Sequence, residues 1–439
     1  MVGAPLDKLR GIVGAPNVLT GVECSPYVIE GRTPEAVVFP GTKDEIAAVV
    51  RLAAEEALPV MPSGGGTKLH IGAPPGRVGL VLGLRRLDRL IEHEPGDLTV
   101  TAEAGMTLGA LQASLGHRGQ WLSLDPPSAE RATLGGILAS NASGPRRHLY
   151  GTARDLLLGL TVVMADGSIV RGGGKVVKNV AGYDLPKLFI GSFGTLGIIA
   201  EGTVKLRPRP DADRLVLARF HHLKDAGRAA HAVMGSDLIP CALELVDGEA
   251  LRIVAAEGGG AALLIGLDGI PEQVEWQCGE VGRLLGRLGM VDVRVLDGAA
   301  RDEAWRALGA IGRGGLEDVA AVMKWGLLPT QVAEVLEQGA VIAQTHGLRA
   351  ALTAHAGVGI ATAVLSGADA ASVVATLGEW RAMVVGAGGH ALLEWAPLAV
   401  KERVTVWDEP GPAGRMMKAL KSRLDPRGLL NPGRFVGGI

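Results

Sequence analysis

The residues best placed to do chemistry lie in Pro59–Leu69, which reads Pro-Val-Met-Pro-Ser-Gly-Gly-Gly-Thr-Lys-Leu. Three consecutive glycines can turn successive backbone N–H groups toward one point, in conformations that side-chained residues avoid. Such a concave row of donors binds anions, phosphates above all. Ser63, Thr67 and Lys68 add two hydroxyls and an ammonium. Without an anion the same run is a surface turn, the default for glycine-rich stretches. Two nucleotide motifs are excluded. Walker A needs a hydroxyl residue after its lysine, but Lys68 is followed by Leu69, and Arg171-Gly172-Gly173-Gly174-Lys175-Val176 fails in the same way. The dinucleotide fingerprint must open a helix, which Pro74, Pro75 and Gly76 stop.

An α/β unit positions the loop. Tyr27 to Pro40 ends in a short β-branched and aromatic strand. Thr42 then caps a helix over Ile46 to Ala57, and Glu45 completes a capping box. That helix feeds the strand Leu58 to Met61. Beyond the loop come short strands at 79–82 and 98–105, a helix from Thr107 to Leu115, and Asp125-Pro126-Pro127. Ala132 to Gly144 is a helix-like stretch of small residues, which either packs tightly or lets its backbone approach something flat and bulky. Strands from Leu158 and Ser168 flank Ala165-Asp166-Gly167, an Asp-Gly hairpin. Gly191-Ser192-Phe193-Gly194-Thr195-Leu196-Gly197-Ile198-Ile199 precedes the strand Thr203 to Leu206, and Arg207 to Pro210 ends the domain.

With 439 residues the chain divides into two or three domains. Its 44 basic and 46 acidic residues leave a net charge of −2, so nothing favours nucleic acid or an anionic membrane. No stretch stays apolar for the length of a membrane helix and the N-terminus lacks a leader pattern, so the sequence reads as cytoplasmic, with any membrane association coming through partner subunits. Cys24, Cys241 and Cys278 are isolated, which excludes an iron–sulfur cluster held by this chain alone. Any redox centre is organic or sits on a partner. With 7 Trp, 5 Phe and 3 Tyr, the composition speaks against a stacking site for a large aromatic substrate.

Taken together, the strand-led Ser63–Lys68 loop, Asp125-Pro126-Pro127, Thr133-Leu134-Gly135-Gly136, Asn141 to Gly144, the Asp-Gly hairpin and Gly194 to Ile199 resemble the FAD-binding domain of the vanillyl-alcohol-oxidase (PCMH-type) flavoproteins, over about 180 residues. Lys178-Asn179-Val180-Ala181-Gly182-Tyr183-Asp184 and Leu424-Asp425-Pro426-Arg427-Gly428-Leu429-Leu430-Asn431-Pro432-Gly433-Arg434-Phe435 resemble the E-subunit family of bacterial glycolate dehydrogenase, also called glycolate oxidase.

The resemblance implies an α+β fold. Residues 1–210 would form a two-subdomain FAD-binding domain, 211–409 a ferredoxin-like α+β cap, and 410–439 a segment returning to the flavin domain. Pro62, Ser63, Gly64, Gly65, Gly66, Thr67 and Lys68 would cradle the FAD pyrophosphate. Pro126, Thr133, Gly135, Gly136, Asn141 and Gly144 would line the ribityl chain and ring. Gly194, Gly197, Ile198 and Ile199 would close over the adenosine end, and Asn431 would reach the flavin side. Several relatives attach the flavin through a histidine in this loop; here Gly65 or Gly66 holds that position and His70 lies beyond it, implying non-covalent FAD. The implied partners are a companion flavoprotein subunit and an iron–sulfur subunit, and the implied substrate is glycolate or another small 2-hydroxy acid.

The cap reads as two strand–helix–strand passes. Strands are expected at 215–220, 261–267, 291–296 and 319–328, and helices at 224–234, near 272–288, and at 330–339 with Thr330 as cap. Ala391 to Pro397 is a last strand. Met416 to Leu424 is a basic amphipathic helix whose Lys418, Lys421 and Arg423 form a solvated or docking face. Relatives that oxidise 2-hydroxy acids carry a His-rich metal site and a Gly-Glu-His-Gly motif here. This chain has Ala354-His355-Ala356-Gly357-Val358-Gly359-Ile360, keeps only the first His, and has no Glu-His pair downstream. His355 is thus the catalytic candidate, ahead of His390 and Arg403, and no metal is expected. Three functions fit: an FAD-binding subunit of a glycolate dehydrogenase, a non-catalytic assembly subunit, or a self-sufficient dehydrogenase of another 2-hydroxy acid.

Overall fold

The computed structural model describes residues 4–174, 183–256, 258–312 and 318–439; the Lys178–Gly182 motif and Lys175-Val176 lie outside them. The chain falls into two compact units. One comprises Met1–Ser143, Thr152–Arg209 and Glu409–Ile439, the other Gly144–Gly151 and Pro210–Asp408.

The first unit begins with β1 (Val18–Leu19), β2 (Ala36–Val38), β3 (Val60–Ser63) and β4 (Leu80–Gly83), in the order β1-β2-β4-β3. Strands β2, β4 and β3 run parallel, as the helix Lys43–Glu55 between β2 and β3 requires. Thr42 caps this helix, accepting the Glu45 N–H at 3.1 Å. The Glu45 carboxylate returns to the Gly41 N–H at 2.7 Å, one residue beyond the expected box. Ile46, Val49, Val50 and Ala53 are fully buried on its inner face, each large aliphatic contributing roughly 1.5–3 kcal/mol.

The next strands are β5 (Leu90–Glu94), β6 (Thr99–Glu103), β7 (Gln120–Trp121), β8 (Leu157–Val163), β9 (Ile169–Gly173), β10 (Ile198–Lys205) and β11 (Arg207–Pro208). Five form an antiparallel sheet in the order β5-β6-β10-β8-β9, while β7 pairs with β11. At the β8–β9 hairpin, Asp166 accepts both the N–H and the hydroxyl of Ser168, and Gly167 takes φ 76°. Residues from both sheets share one core.

Residues 409–439 return to this unit. The Val60 N–H donates to Leu429 O at 2.8 Å, and the Asn431 N–H donates to Val60 O at 2.9 Å, extending β3 outward. The helix Ala413–Leu424 is not solvated along its whole basic face. Lys421 is buried, its ammonium donating to Thr195 O (2.8 Å), Asp425 Oδ2 (2.7 Å) and Leu430 O (2.8 Å). Asp425 also accepts the N–H groups of Leu429 and Leu430.

The second unit is built on one eight-stranded antiparallel sheet. Its strands are β12 (Ala212–Phe220), β13 (Ala242–Val246), β14 (Ala261–Gly269), β15 (Asp292–Leu296), β16 (Val319–Gly326), β17 (Arg349–His355), β18 (Ile360–Ser366) and β19 (His390–Trp395). The order β15-β12-β14-β13-β17-β18-β16-β19 contains two ferredoxin-like halves, each four strands long, joined where β13 pairs with β17. One face is covered by the helices Leu223–Met234, Pro271–Leu285, Val332–Thr345 and Ala370–Gly386. On the other face, the helices Gly248–Ala255 and Gly298–Ala310 cover a smaller core. Thr330 does not cap a helix: Pro329 opens a 3-10 turn over Pro329–Gln331, and the α-helix starts at Val332.

Candidate functional site

In the first unit, β3 delivers Ser63 to the glycine loop, and Pro62 to Leu69 together with Ile71 form one wall of an open cleft. Opposite stand Thr133, Gly136, Ala139 and Ser140, with Phe193, Gly194, Asn431 and Arg434 closing the sides. The glycines are required by close approach. A Cβ on Gly64 would lie 2.1 Å from Thr133 Oγ1, one on Gly65 would lie 1.7 Å from Arg131 O, and Gly66 has φ +73°. Among the described residues, the N–H groups of Gly64, Gly65, Gly66 and Thr67 donate to no backbone carbonyl. Four adjacent donors beside Lys68 and the Ser63 hydroxyl are the chemistry a pyrophosphate needs, so this cradle fits the phosphate end of a dinucleotide.

Arg434 fixes the far end of the loop. Its buried guanidinium donates to Leu69 O at 2.6 Å and Ile71 O at 2.5 Å, and burial pulls its pKa down to about 10. Asn431 Nδ2 donates to Phe193 O at 2.8 Å, joining the returning segment to the Phe193-Gly194 turn.

The second unit brings together a different set of groups. His355, at the end of β17, lies directly opposite Glu244 on β13, and its Nδ1 is 2.6 Å from Glu244 Oε1. Glu244 is buried and His355 is half-buried. A carboxylate on Nδ1 keeps that proton in place and leaves Nε2 as the proton acceptor. Along the same sheet face, the register places Thr353 beside Thr362 and Thr362 beside Lys324, and Lys324 pairs with the buried Glu394 at 3.2 Å. His355, Ile360, Thr362 and Lys324 are half-exposed, so this part of the face is open.

The strap Gly144–Gly151 belongs to this unit. Arg146 bridges Asp213 and Asp268, both at 2.5 Å, and Tyr150 donates to Asp268 at 2.8 Å. Burial and the Asp268 carboxylate push the Tyr150 hydroxyl pKa well up. His148 packs on the turn after His355: a Cβ on Gly357 would lie 2.2 Å from its Cε1, and burial lowers the His148 pKa.

Of the residues expected at the flavin, Pro62, Ser63, Gly64, Gly65, Gly66, Thr67, Lys68, Thr133, Gly136, Gly194 and Asn431 line the one cleft. The others lie elsewhere. Pro126 is buried away from it. Gly135 packs on Ala104, where a Cβ would meet the alanine methyl at 2.6 Å, and Gly197 packs on Val162 and Phe189. Asn141 ends its helix in the left-handed conformation and accepts the Arg154 N–H. Ile198 and Ile199 are core residues of β10, and Gly144 falls in the second unit. His70 does not line the cleft. Among the described residues, no group of three His, Cys, Asp or Glu side chains could hold a metal ion, and no helix is long and apolar enough to cross a membrane.

Sequence reasoning missed Ser140, Phe193 and Arg434 in the cleft. It also missed Glu244, Lys324 and His148 in the second unit. The signal for Arg434 was the Pro432–Phe435 stretch itself; for Glu244 only its place in an otherwise apolar strand, Ala242-Leu243-Glu244-Leu245-Val246, could have drawn notice.

The family described as "FAD binding domain" matches residues 34–173, and "FAD linked oxidases, C-terminal domain" matches 209–435. The glycolate oxidase subunit GlcD of Bacillus subtilis is 30% identical over 420 residues, covering 92% of this chain and 89% of that protein. A D-lactate dehydrogenase of Archaeoglobus fulgidus is 31% identical, covering 98% and 99%. Among solved structures, p-cresol methylhydroxylase with substrate bound superposes with a TM-score of 0.79 at 18% identity, covering 98% of this chain and 96% of that one, which shows the fold.

Proposed function

Because this chain belongs to the FAD-linked oxidases, we propose that it is the FAD-binding subunit of a dehydrogenase of small 2-hydroxy acids, glycolate first among them. The observation that carries this reading is the run of backbone N–H groups at Gly64–Thr67, without carbonyl partners among the described residues, in residues that line the cleft. Bound FAD supplies two-electron acceptance from a carbon–hydrogen bond. The chain's own residues do the rest. The glycine loop and Lys68 hold the pyrophosphate non-covalently. Nε2 of His355 takes the substrate hydroxyl proton, with Glu244 fixing the ring as a positioning residue. Lys324, held by Glu394, offers the cation that a substrate carboxylate needs. Electrons then leave through a companion flavoprotein subunit and an iron–sulfur subunit, since three isolated cysteines provide no cluster of this chain's own.

A second reading is a self-sufficient dehydrogenase, and the Glu244–His355 pair favours it because it supplies the base that no local motif provides. The two readings separate in one experiment. The chain is purified alone, its visible spectrum recorded, the flavin released by acid precipitation, and glycolate and then D-lactate are added anaerobically. Released yellow colour that neither acid bleaches supports a flavin-holding subunit whose substrate chemistry, the His355 step included, waits on its partner. Bleaching by either supports the self-sufficient enzyme. A colourless protein that FAD does not reconstitute refutes both and leaves an assembly subunit.

A further inference from the structure

The eight-stranded sheet has two edges, and among the described residues only one is closed. At β19 the segment 405–408 covers the outer side: the Leu393 N–H donates to Val406 O and the Ala391 N–H to the Asp408 carboxylate. At the other edge β15 pairs, among the described residues, with β12 alone, in an unbroken register from Arg219↔Asp292 to Leu215↔Leu296. Exposed edges are ordinarily blunted by charged side chains, proline or a bulge. β15 has no lysine, proline or bulge, and its two charges, Asp292 and Arg294, are of opposite sign. Instead Val291, Val293 and Val295 are 44%, 37% and 51% exposed, with Ile270 and Trp276 exposed on the neighbouring helix Pro271–Leu285. Val293 and Val295 lie opposite Ala218 and Val216, on the face that carries that helix.

The strand is self-complementary. Val291-Asp292-Val293-Arg294-Val295 reads the same from either end once Asp and Arg are exchanged. If two copies pair antiparallel about Val293, Asp292 of each stands opposite Arg294 of the other, Val291 opposite Val295, and Val293 opposite itself. Directly opposite residues share a face, so the charges lie on one side and the valines on the other. Opposite charges across a strand pair stabilise it, and like charges destabilise it. Sliding the register by two residues sets Arg294 against Arg294 or Asp292 against Asp292; sliding by one sets valine against charge. Within one chain Asp292 is already held by Arg219 at 2.8 Å. We propose that β15 is the interface for a second copy of this chain, joined antiparallel about a two-fold axis through Val293 into one continuous sheet. A strand added across a two-fold is an isologous interface, which closes at two copies and leaves no further edge to propagate.

The flavin-loaded chain is tested by sedimentation at about 1 to 100 µM. A dimer is expected, and Val293→Lys, which sets two ammonium groups face to face on the axis, raises its dissociation constant at least about tenfold while circular dichroism and flavin content stay unchanged. Register is tested separately. Val293→Cys should form a disulfide-linked dimer under mild oxidation, since opposed Cα atoms in an antiparallel pair lie about 4.5–5.5 Å apart. Val341→Cys, at 61% more exposed than Val293 and lying on the helix Val332–Thr345, should not. A wild-type chain that stays monomeric at the highest concentration overturns the proposal. So does a dimer that survives Val293→Lys, or a Val293→Cys protein that cross-links no faster than Val341→Cys.

Discussion

Replacing Lys421 with methionine tests whether the returning segment 409–439 is held by one buried charge. The Lys421 side chain is 11% exposed and that of Asp425 is fully buried. The ammonium satisfies three acceptors on three pieces of chain: Asp425 on its own helix, Thr195 beside the cleft residue Gly194, and Leu430 beside the cleft residue Asn431. Breaking a buried pair by removing one partner costs about 3–5 kcal/mol, because the remaining charge stays out of water. Here Asp425 keeps the N–H groups of Leu429 and Leu430, which offsets part of that cost. The expected loss for Lys421→Met is therefore at the low end, about 3 kcal/mol, a large share of a typical domain stability of about 5–15 kcal/mol. Urea unfolding of flavin-free protein followed by circular dichroism measures it. Lys421→Met with Asp425→Asn should recover part of the loss, since the amide is uncharged. A single variant within about 0.5 kcal/mol of wild type would refute the clamp.

Three further outcomes follow from the geometry. Gly65→Ala drives a methyl into Arg131 O and should leave the purified protein largely without flavin by its visible-to-ultraviolet absorbance ratio, whereas Gly76→Ala, with nothing within 4 Å, should keep it. Glu244→Gln should lower kcat by roughly 100-fold with KM and flavin content little changed, measured with a dye acceptor on the protein in complex with its partners; an unchanged kcat would remove Glu244 from the proton path. Asp247 caps the helix Gly248–Ala255, and burial pushes its carboxyl pKa up to about 7. The folded state thus holds that proton more tightly than the unfolded chain, whose aspartates ionise near 4, so this contribution to stability is present below about pH 4 and is lost as pH rises through about 7. Urea midpoints at pH 5 and pH 8 should differ less in Asp247→Asn than in wild type.

The glycine-loop wall of the cleft was legible because everything it needs is local. A strand, three glycines and a lysine lie within eleven residues, and the reason for the glycines is the close pass of Arg131–Thr133. The stretch Ala132 to Gly144 was only half legible. Its small residues serve two purposes, and sequence does not say that Gly136 faces the cleft while Gly135 faces Ala104. Of the Glu244–His355 pair only His355 was legible, because the two residues are 111 apart and meet only through the β13–β17 register, which joins the two halves of the sheet. Lys421 was misread for a related reason. Helical periodicity marks a basic face, but only the fold reveals that one position on it points at three carbonyl and carboxylate oxygens.

The pairing of Val60 with Leu429 and Asn431 sets a clock on biosynthesis. The outer side of β3, the strand that delivers Ser63 to the loop, waits for partners translated roughly 370 residues later. At about 5–20 residues per second the ribosome takes roughly 20–70 s to reach them. Throughout that interval the glycine loop lacks Arg434, and the cleft lacks Asn431, so cofactor capture belongs to the end of synthesis. A nascent chain stalled before residue 429 would expose an unpaired strand edge during that wait, the kind of surface on which chaperones and aggregation compete.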